Sequence, residues 1–365
     1  MSFHQDLDNM TRDMHDATWL VEYMKKNPVT AMLLDRKDLQ FKGGKQYYRE
    51  VDTSTMEDLA QDYDVNDPLT HGTMDTTSRI TFRRKKFQFP VQIDVDEELQ
   101  NDDQTPDNTQ LQKLAKHRVK KAQEGTRLHL RKLIYRGTGH SLAASDSNKY
   151  IQGLNSALTV DATYGQLTRT KASSVNDWFQ PAANGYDATG GLAGDQNGEY
   201  SISIHWMREI LEPLGDLEGD DKELVTIVGG VLWLALQAEA ERRGTPYKIV
   251  PDRLNQNDGK TTQGFTEMIL DSRKIVKDPF LKAGNNTAMG ETTGAAGALE
   301  RRMYCLNLKD WDFFIHPKRN FKMSSFFDQS QIANGSDFNL SRIKFAGNLV
   351  CWYPARQLYL SNVVP

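Results

Sequence analysis

A chain of 365 residues exceeds what one core usually fills, so two domains, or one domain with large extensions, are expected. Hydrophobic residues make up 38% of it, which argues against wholesale disorder, and 45 basic against 49 acidic side chains leave a net charge of only -4. So nearly neutral a molecule is not drawn as a whole to nucleic acid or to a membrane, and any such attraction has to be local.

Residues 1–35 hold one amphipathic stretch, in which Leu20, Val21, Tyr23 and Met24 follow Trp19. It stops at Asn27-Pro28, because proline disfavours helix in the residue before it, and an N-terminal arm with a short helix is expected. Between Phe87 and Val95 the alternation is strict. Phe87, Phe89, Val91, Ile93 and Val95 share one face while Gln88, Pro90, Gln92 and Asp94 share the other, the pattern of a half-buried strand. Ile80 and Phe82 alternate in the opposite phase, so Arg83-Arg84-Lys85-Lys86 has to contain a bulge or bend that resets the register. A preceding strand is expected near Lys45–Val51. Thr53–Ser78 between them is polar, rich in Asp and Thr, and carries the breakers Asp67-Pro68 and His71-Gly72. Residues 36–98 therefore read as a long hairpin with a large tip and little core of its own. A two-stranded hairpin is marginal in water, so this one needs something to lie on, and a neighbouring subunit would serve.

An acidic stretch, Asp94, Asp96, Glu97, Glu98, Asp102 and Asp103, leads to Thr105-Pro106, a good helix start. Apolar residues then recur at Leu111, Leu114, Ala115, Val119, Ala122, Leu130, Leu133 and Ile134, with the stripe thinning around Gly125. The spacing predicts a helix over 106–136, ended by Gly137. About 30 residues make it about 45 Å long, a spine rather than one member of a bundle. Ala143–Gly198 is loop-rich. A helix at Trp206–Leu214, a buried strand at Leu224–Val228, a helix at Val231–Arg243 and strands at Tyr247–Val250 and Met268–Val276 follow, a mixed α and β pattern. Arg302–Leu308, Phe313–Ile315, Arg342–Trp352 and Gln357–Val363 read as the closing strands.

Cys305 and Cys351 are too few for a disulfide framework and lack the close pairs of structural zinc, so buried free thiols are expected. Met1–Asp16 has no apolar segment of the secretory kind, and synthesis in a reducing cytoplasm is expected. The longest nearly apolar run, Leu224–Leu236, falls short of the roughly 20 residues of a membrane span.

Several stretches, in their order, resemble one family. Gly137-Thr138-Gly139 is followed by Ile151-Gln152-Gly153-Leu154 with Ala157-Leu158, then by Tyr164-Gly165-Gln166-Leu167-Thr168-Arg169 and by Trp178-Phe179. Near the C-terminus come Ile315-His316-Pro317-Lys318-Arg319-Asn320-Phe321 and Phe345-Ala346-Gly347-Asn348-Leu349-Val350-Cys351. This series is similar to the major capsid proteins of tailed bacteriophages, from about Gln88 to the end, with the hairpin before it matching in character rather than in residues. The family more often has a second glycine around 166, and Leu167-Thr168 replaces a more usual Ile-Asp.

The resemblance implies an α+β fold shared by tailed phages, herpesviruses and encapsulins. Its parts would be an N-terminal arm (1–35), an extended β-hairpin loop (36–98), a peripheral domain with the spine helix (99–200 and 301–345) and an axial domain (201–300 and 346–365). It implies a coat protein that assembles into hexamers and pentamers of an icosahedral head around double-stranded DNA, in the virion, after synthesis in the host cytoplasm. The rival reading with the same fold is an encapsulin-like compartment. Partners would be the chain itself, a scaffolding protein, a portal and decoration proteins. The short arm after Met1 leaves little room for a fused scaffold, so a separate one or a processed precursor is expected.

No enzyme signature stands out, and no cofactor or metal is expected. The eight histidines are scattered, with no His pair flanking a Glu at helical spacing. Gly259-Lys260-Thr261 has Leu254 where a phosphate-binding loop needs glycine, and Gly137-Thr138-Gly139-His140-Ser141 reads as a glycine-rich helix exit. The spine helix carries Lys113, Lys116, Arg118, Lys120, Lys121, Arg127, Arg131, Lys132 and Arg136 against Asp107 and Glu124. A solvated face or salt bridges to a neighbour's acidic stretch would account for them. So would contact with packaged DNA through Lys113, Lys120 and Arg127. For Arg83, Arg84, Lys85 and Lys86, with Phe87 and Phe89, the choice is between a solvated strand bend and contacts to an adjacent subunit.

Overall fold

The computed structural model describes residues 28–35, 46–52, 77–94, 96, 109–135, 150–159, 163–169, 179, 181, 200–205, 207, 224–243, 247–250, 267–270, 273–282, 299–328, 338–360 and 363–364. The expected amphipathic stretch near Trp19, the hairpin tip, the exit Gly137–Ser141, nearly all of the helix at 206–214 and Gly259–Thr261 lie outside these residues.

A short helix α1 (Pro28–Asp35) precedes strands β1 (Gln46–Asp52) and β2 (Thr77–Arg83), which pair antiparallel over their full length as a ribbon. One residue later β3 (Lys85–Asp94) begins, so the basic run does hold the register-resetting break, at Arg84. The spine is helix α2 (Thr109–Tyr135), 27 residues and so about 40 Å long. Helix α3 (Leu154–Leu158) and the small hairpin β4 (Thr163–Tyr164) and β5 (Leu167–Thr168) follow, then β6 (Tyr200–Ser201). Strand β7 (Leu224–Val228), helix α4 (Gly230–Arg243) and strands β8 (Tyr247–Val250), β9 (Glu267–Leu270) and β10 (Arg273–Lys277) come next. The last part holds β11 (Met303–Asn307), β12 (Trp311–Ile315), β13 (Lys322–Met323), β14 (Phe327–Asp328), β15 (Phe338–Cys351), β16 (Leu358–Leu360) and β17 (Val363–Val364).

Two larger sheets organise most of these strands, with β1–β2, β4–β5 and β6–β17 as separate pairs. The first has the order β16-β11-β7-β10-β9-β8, with β7 and β10 parallel and the other pairs antiparallel. Period-2 alternation splits its side chains between two cores. Val225, Ile227, Val276, Tyr304 and Leu306 enter a large core shared with α2, whereas Leu224, Val228, Ile275, Met303 and Cys305 enter a smaller one covered by Leu232, Trp233 and Leu236 of α4. All five residues of β7 are buried, as an apolar run without alternation requires.

The second sheet is built on β15, which pairs with β12, β13 and β14 and, over ten residues, with β3. Its inner face lies on α2, whose Ala115, Val119, Ala122, Leu130, Leu133 and Ile134, part of the stripe read from the sequence, are buried in the large core. The stripe thins at Gly125 because the Phe89 ring occupies that place. A Cβ at 125 would lie 2.6 Å from Phe89 Cζ.

Four expectations about boundaries are corrected. The extended loop does not run to 98: β3 leaves the ribbon and joins β15, a partner some 250 positions away that local alternation cannot reveal. Met303–Asn307, expected with the spine helix, belongs to the six-stranded sheet, and the division at 345/346 falls inside the continuous strand β15. Met268–Val276 is not one strand but the antiparallel pair β9 and β10.

Candidate assembly surfaces

The ribbon is not unsupported along its described length. Tyr47, Val51, Ile80 and Phe82 share one face and are buried in the large core, with Tyr47 stacked on Phe314 at 4.1 Å and Phe82 edge-on to Trp352 at 5.7 Å. Burial pushes the Tyr47 hydroxyl pKa up to about 12, a rise that Arg84 opposes. Arg49 stands over Trp352 and Tyr353, 5.5 Å from each ring. The expected need for a neighbour therefore does not hold for 46–52 and 77–83. On the opposite face, Tyr48 is 60% exposed and carries the Arg79 guanidinium 3.9 Å from its ring centroid.

Several residues of the motifs that carry the family resemblance meet near the ribbon's root. Asn348 Nδ2 donates to the Arg83 carbonyl at 3.0 Å and to Gln152 Oε1 at 3.1 Å, while its Oδ1 accepts from the Gln152 N–H at 3.1 Å. The turn between β4 and β5 has Gly165 at φ 58° and Gln166 at φ 69°, the left-handed pair of a tight hairpin. The Gly165 carbonyl accepts from Thr81 N–H at 2.9 Å, and a Cβ there would lie 2.4 Å from Ile80 Cγ2. Tyr164 OH accepts from Cys351 N–H at 2.8 Å. Arg169 is fully buried and donates to the carbonyls of Ala157 at 2.9 Å and Thr159 at 2.7 Å, capping the end of α3. Gly347 lets the β12 backbone close in, since a Cβ would meet the Phe314 carbonyl oxygen at 2.3 Å.

The predicted contact residues separate into two sets. Arg83 and Lys86 are exposed and Arg84 is half-buried. Lys85 points inward at 4% exposure, and burial, aided by Arg83, lowers its pKa to about 8. Phe87 stacks on Phe345 at 4.8 Å and meets His129 of α2 edge-on at 5.1 Å; Phe89 fills the Gly125 notch. Phe87 and Phe89, expected at a subunit contact, thus have much of their ring surface taken up inside the chain. The alternation that begins at Lys85 turns both toward α2.

On α2, Lys120 is exposed and Arg127 half-buried, while the Lys113 side chain lies outside the described set. Lys116 and His117 share the exposed side with Lys121, which pairs with Glu124 at 3.0 Å and, with that hydrogen bond, lowers the Glu124 pKa. Arg118 is instead turned to β3, donating to the Gln92 carbonyl at 3.4 Å.

Sequence reasoning missed Asp278, which is 1% exposed and holds the spine's C-terminal end to the six-stranded sheet. Its carboxylate accepts from Arg131 Nη2 at 2.6 Å, Tyr135 OH at 2.7 Å and the Phe280 N–H at 2.8 Å, while its own N–H donates to the Val228 carbonyl at 3.0 Å. Burial first, then Asp278, raises the Tyr135 pKa well above normal. One acid after a strand has no local signature. Among the described residues no group of three or more His, Cys, Asp or Glu could hold a metal ion, and no helix is long and apolar enough to cross a membrane.

No family model matches the chain, and no curated protein does. Solved structures do. The chain is similar to the capsid asymmetric unit of cyanophage A-1(L) at a TM-score of 0.60 and 12% identity, over 93% of each chain. It is similar to the capsid of a native GTA particle at 0.50 and 10%, over 92% of this chain and 91% of that one. A holo-SrpI encapsulin complex from Synechococcus elongatus PCC 7942 follows at 0.47 and 11%, over 91% and 87%. At such identities the first two establish the fold: this is the α+β capsid fold of phages, as the sequence motifs implied.

Proposed function

We propose that the chain is a shell subunit, the major capsid protein of a phage head, assembling into hexamers and pentamers around double-stranded DNA. The observation that carries this reading is the phage capsid fold over 93% of the chain. The work such a subunit does is physical. Many modest interfaces, each short of a stable pair on its own, add up through repetition around closed symmetry. In this reading the exposed ribbon face with Tyr48 and Arg79, and the exposed Arg83 and Lys86 at its root, meet neighbouring subunits. Lys113, Lys120 and Arg127 meet phosphates of the packaged genome without regard to sequence. A scaffolding protein, a portal and decoration proteins complete the head, and the chain needs no catalytic group.

Electron microscopy of particles from the native source tests it. DNA-filled heads with one portal vertex are expected, whereas shells housing enzyme cargo would move the chain to the encapsulin-like class. Substituting Lys113→Gln, Lys120→Gln and Arg127→Gln together should lower genome retention while particles still form; unchanged retention would remove the DNA role of that stripe.

A further inference from the structure

Helix α4 is apolar all the way round in its first two turns, where Gly230 to Leu236 are only glycine, aliphatic residues and Trp233. One side covers the smaller core through Leu232, Trp233, Leu236 and Ala240. The opposite side, at helical spacing, is made by Val231, Leu234, Ala235, Ala238 and Glu241. Val231 is 43% and Leu234 62% exposed, and Ala238 and Glu241 are exposed with them. A surface helix turns polar residues outward, and one that is apolar all round is one that something covers.

Two features of this face fit a second copy of itself. Its bulky residues lie toward the start of α4 and its small ones toward the end, so an antiparallel pair sets Leu234 of one copy over Ala238 of the other, twice about a twofold axis near residue 236. The charges follow the same symmetry. At the start of α4, a Cβ on Gly230 would lie 3.9 Å from Lys277 Nζ, a cation placed where the helix dipole is already positive. At the end, Arg242 and Arg243 both engage Glu239, while Glu241 stays on the exposed side and accepts from Gln237 at 3.3 Å. With Leu234 on Ala238, Glu241 comes to Val231 of the other copy, next to Lys277. We propose that α4 is a twofold docking surface, on which Val231, Leu234, Ala235 and Ala238 of two copies pack antiparallel and Glu241 of each meets Lys277 of the other. Two helices of this length cover less than the roughly 800 Å² per partner of a stable complex, so the contact is weak alone and strengthens where copies are held close. It goes beyond the shell-subunit reading, which gives α4 no contact, and does not depend on it.

A single cysteine reads twofold pairing, because only a residue near such an axis meets its own copy. Cys305 and Cys351 are buried and leave the background low. On mild oxidation of the full chain, Ala235→Cys should give a disulfide dimer, and Val231→Cys, about 15 Å from its own copy in this register, at least about fivefold less. Adding Leu234→Asp, Lys277→Glu or Glu241→Lys should each cut the Ala235→Cys dimer by about fivefold or more, and Lys277→Glu with Glu241→Lys should restore it to within about twofold. Absence of the dimer, with the new thiol reacting with a maleimide, overturns the proposal. So does an equal dimer yield from Val231→Cys, or a combined charge swap no better than its parts. A non-reducing gel reads the dimer in free chains and in particles alike, so failure of the shell reading leaves this result intact.

Discussion

Gln166 occupies a left-handed position at φ 69° beside Gly165 at φ 58°. A side chain there pays a steric cost that glycine does not, partly returned by the greater freedom of glycine in the unfolded chain. Gln166→Gly should therefore stabilise the chain, by up to about 1 kcal/mol in denaturant unfolding. Gly165→Ala should do the reverse, because its methyl would press on Ile80. Lys85 supplies a pH test. Its pKa drops from an ordinary 10.5 in the unfolded chain to about 8 in the buried site, so between these values the unfolded state binds more protons. The cost of charging it is fully present below pH 8 and disappears as pH rises toward 10.5. Lys85→Met should be more stable than the parent at pH 7, by on the order of 1–2 kcal/mol since the stem can carry its ammonium toward water, and that advantage should shrink by pH 10. A thermal-melt difference that does not vary with pH would count against a depressed lysine.

At the scale of elements, α2 is fixed to the β15 sheet at Phe89 and to the six-stranded sheet at Asp278. Gly125→Ala should raise helix propensity yet lower stability by about 1–2 kcal/mol, because the new methyl meets the Phe89 ring. A double-mutant cycle with Phe89→Leu should recover part of that loss, since the smaller side chain leaves the notch open. Asp278→Ala strands the Arg131 charge in a site where it is nearly enclosed, and a loss of about 3–5 kcal/mol in unfolding free energy is expected. The helix itself was legible, because its buried positions follow a 3.6-residue period over 27 residues. So were β7 and α4, which have apolar patterns of one type and clear ends. The Asp278 contact was not, because both its partners, Arg131 and Tyr135, lie more than 140 positions away and no spacing announces it.

For the whole molecule, the same limit governs which sheet a strand joins. Strict alternation from Phe87 to Val95 identifies a half-buried strand but not its partner, so by sequence it falls to the hairpin, while the ten ladder pairs of β3 run to β15. The opposed lysines Lys322 and Lys344 are neighbours only through the pairing of β13 with β15, and the face they form cannot be read from their separate segments. Capsid architecture was nevertheless visible from the ordered motifs. Gln152, Gly165, Tyr164 and Asn348, scattered in sequence, meet at the ribbon's root and hold it to the body. A chain so arranged has its described ribbon anchored to the body. The direct measurement is electron cryomicroscopy of the purified, full-length chain under assembly conditions. Closed shells of hexamers and pentamers are expected. A monomer that persists at every concentration and salt tried, with no particles, would contradict the shell function.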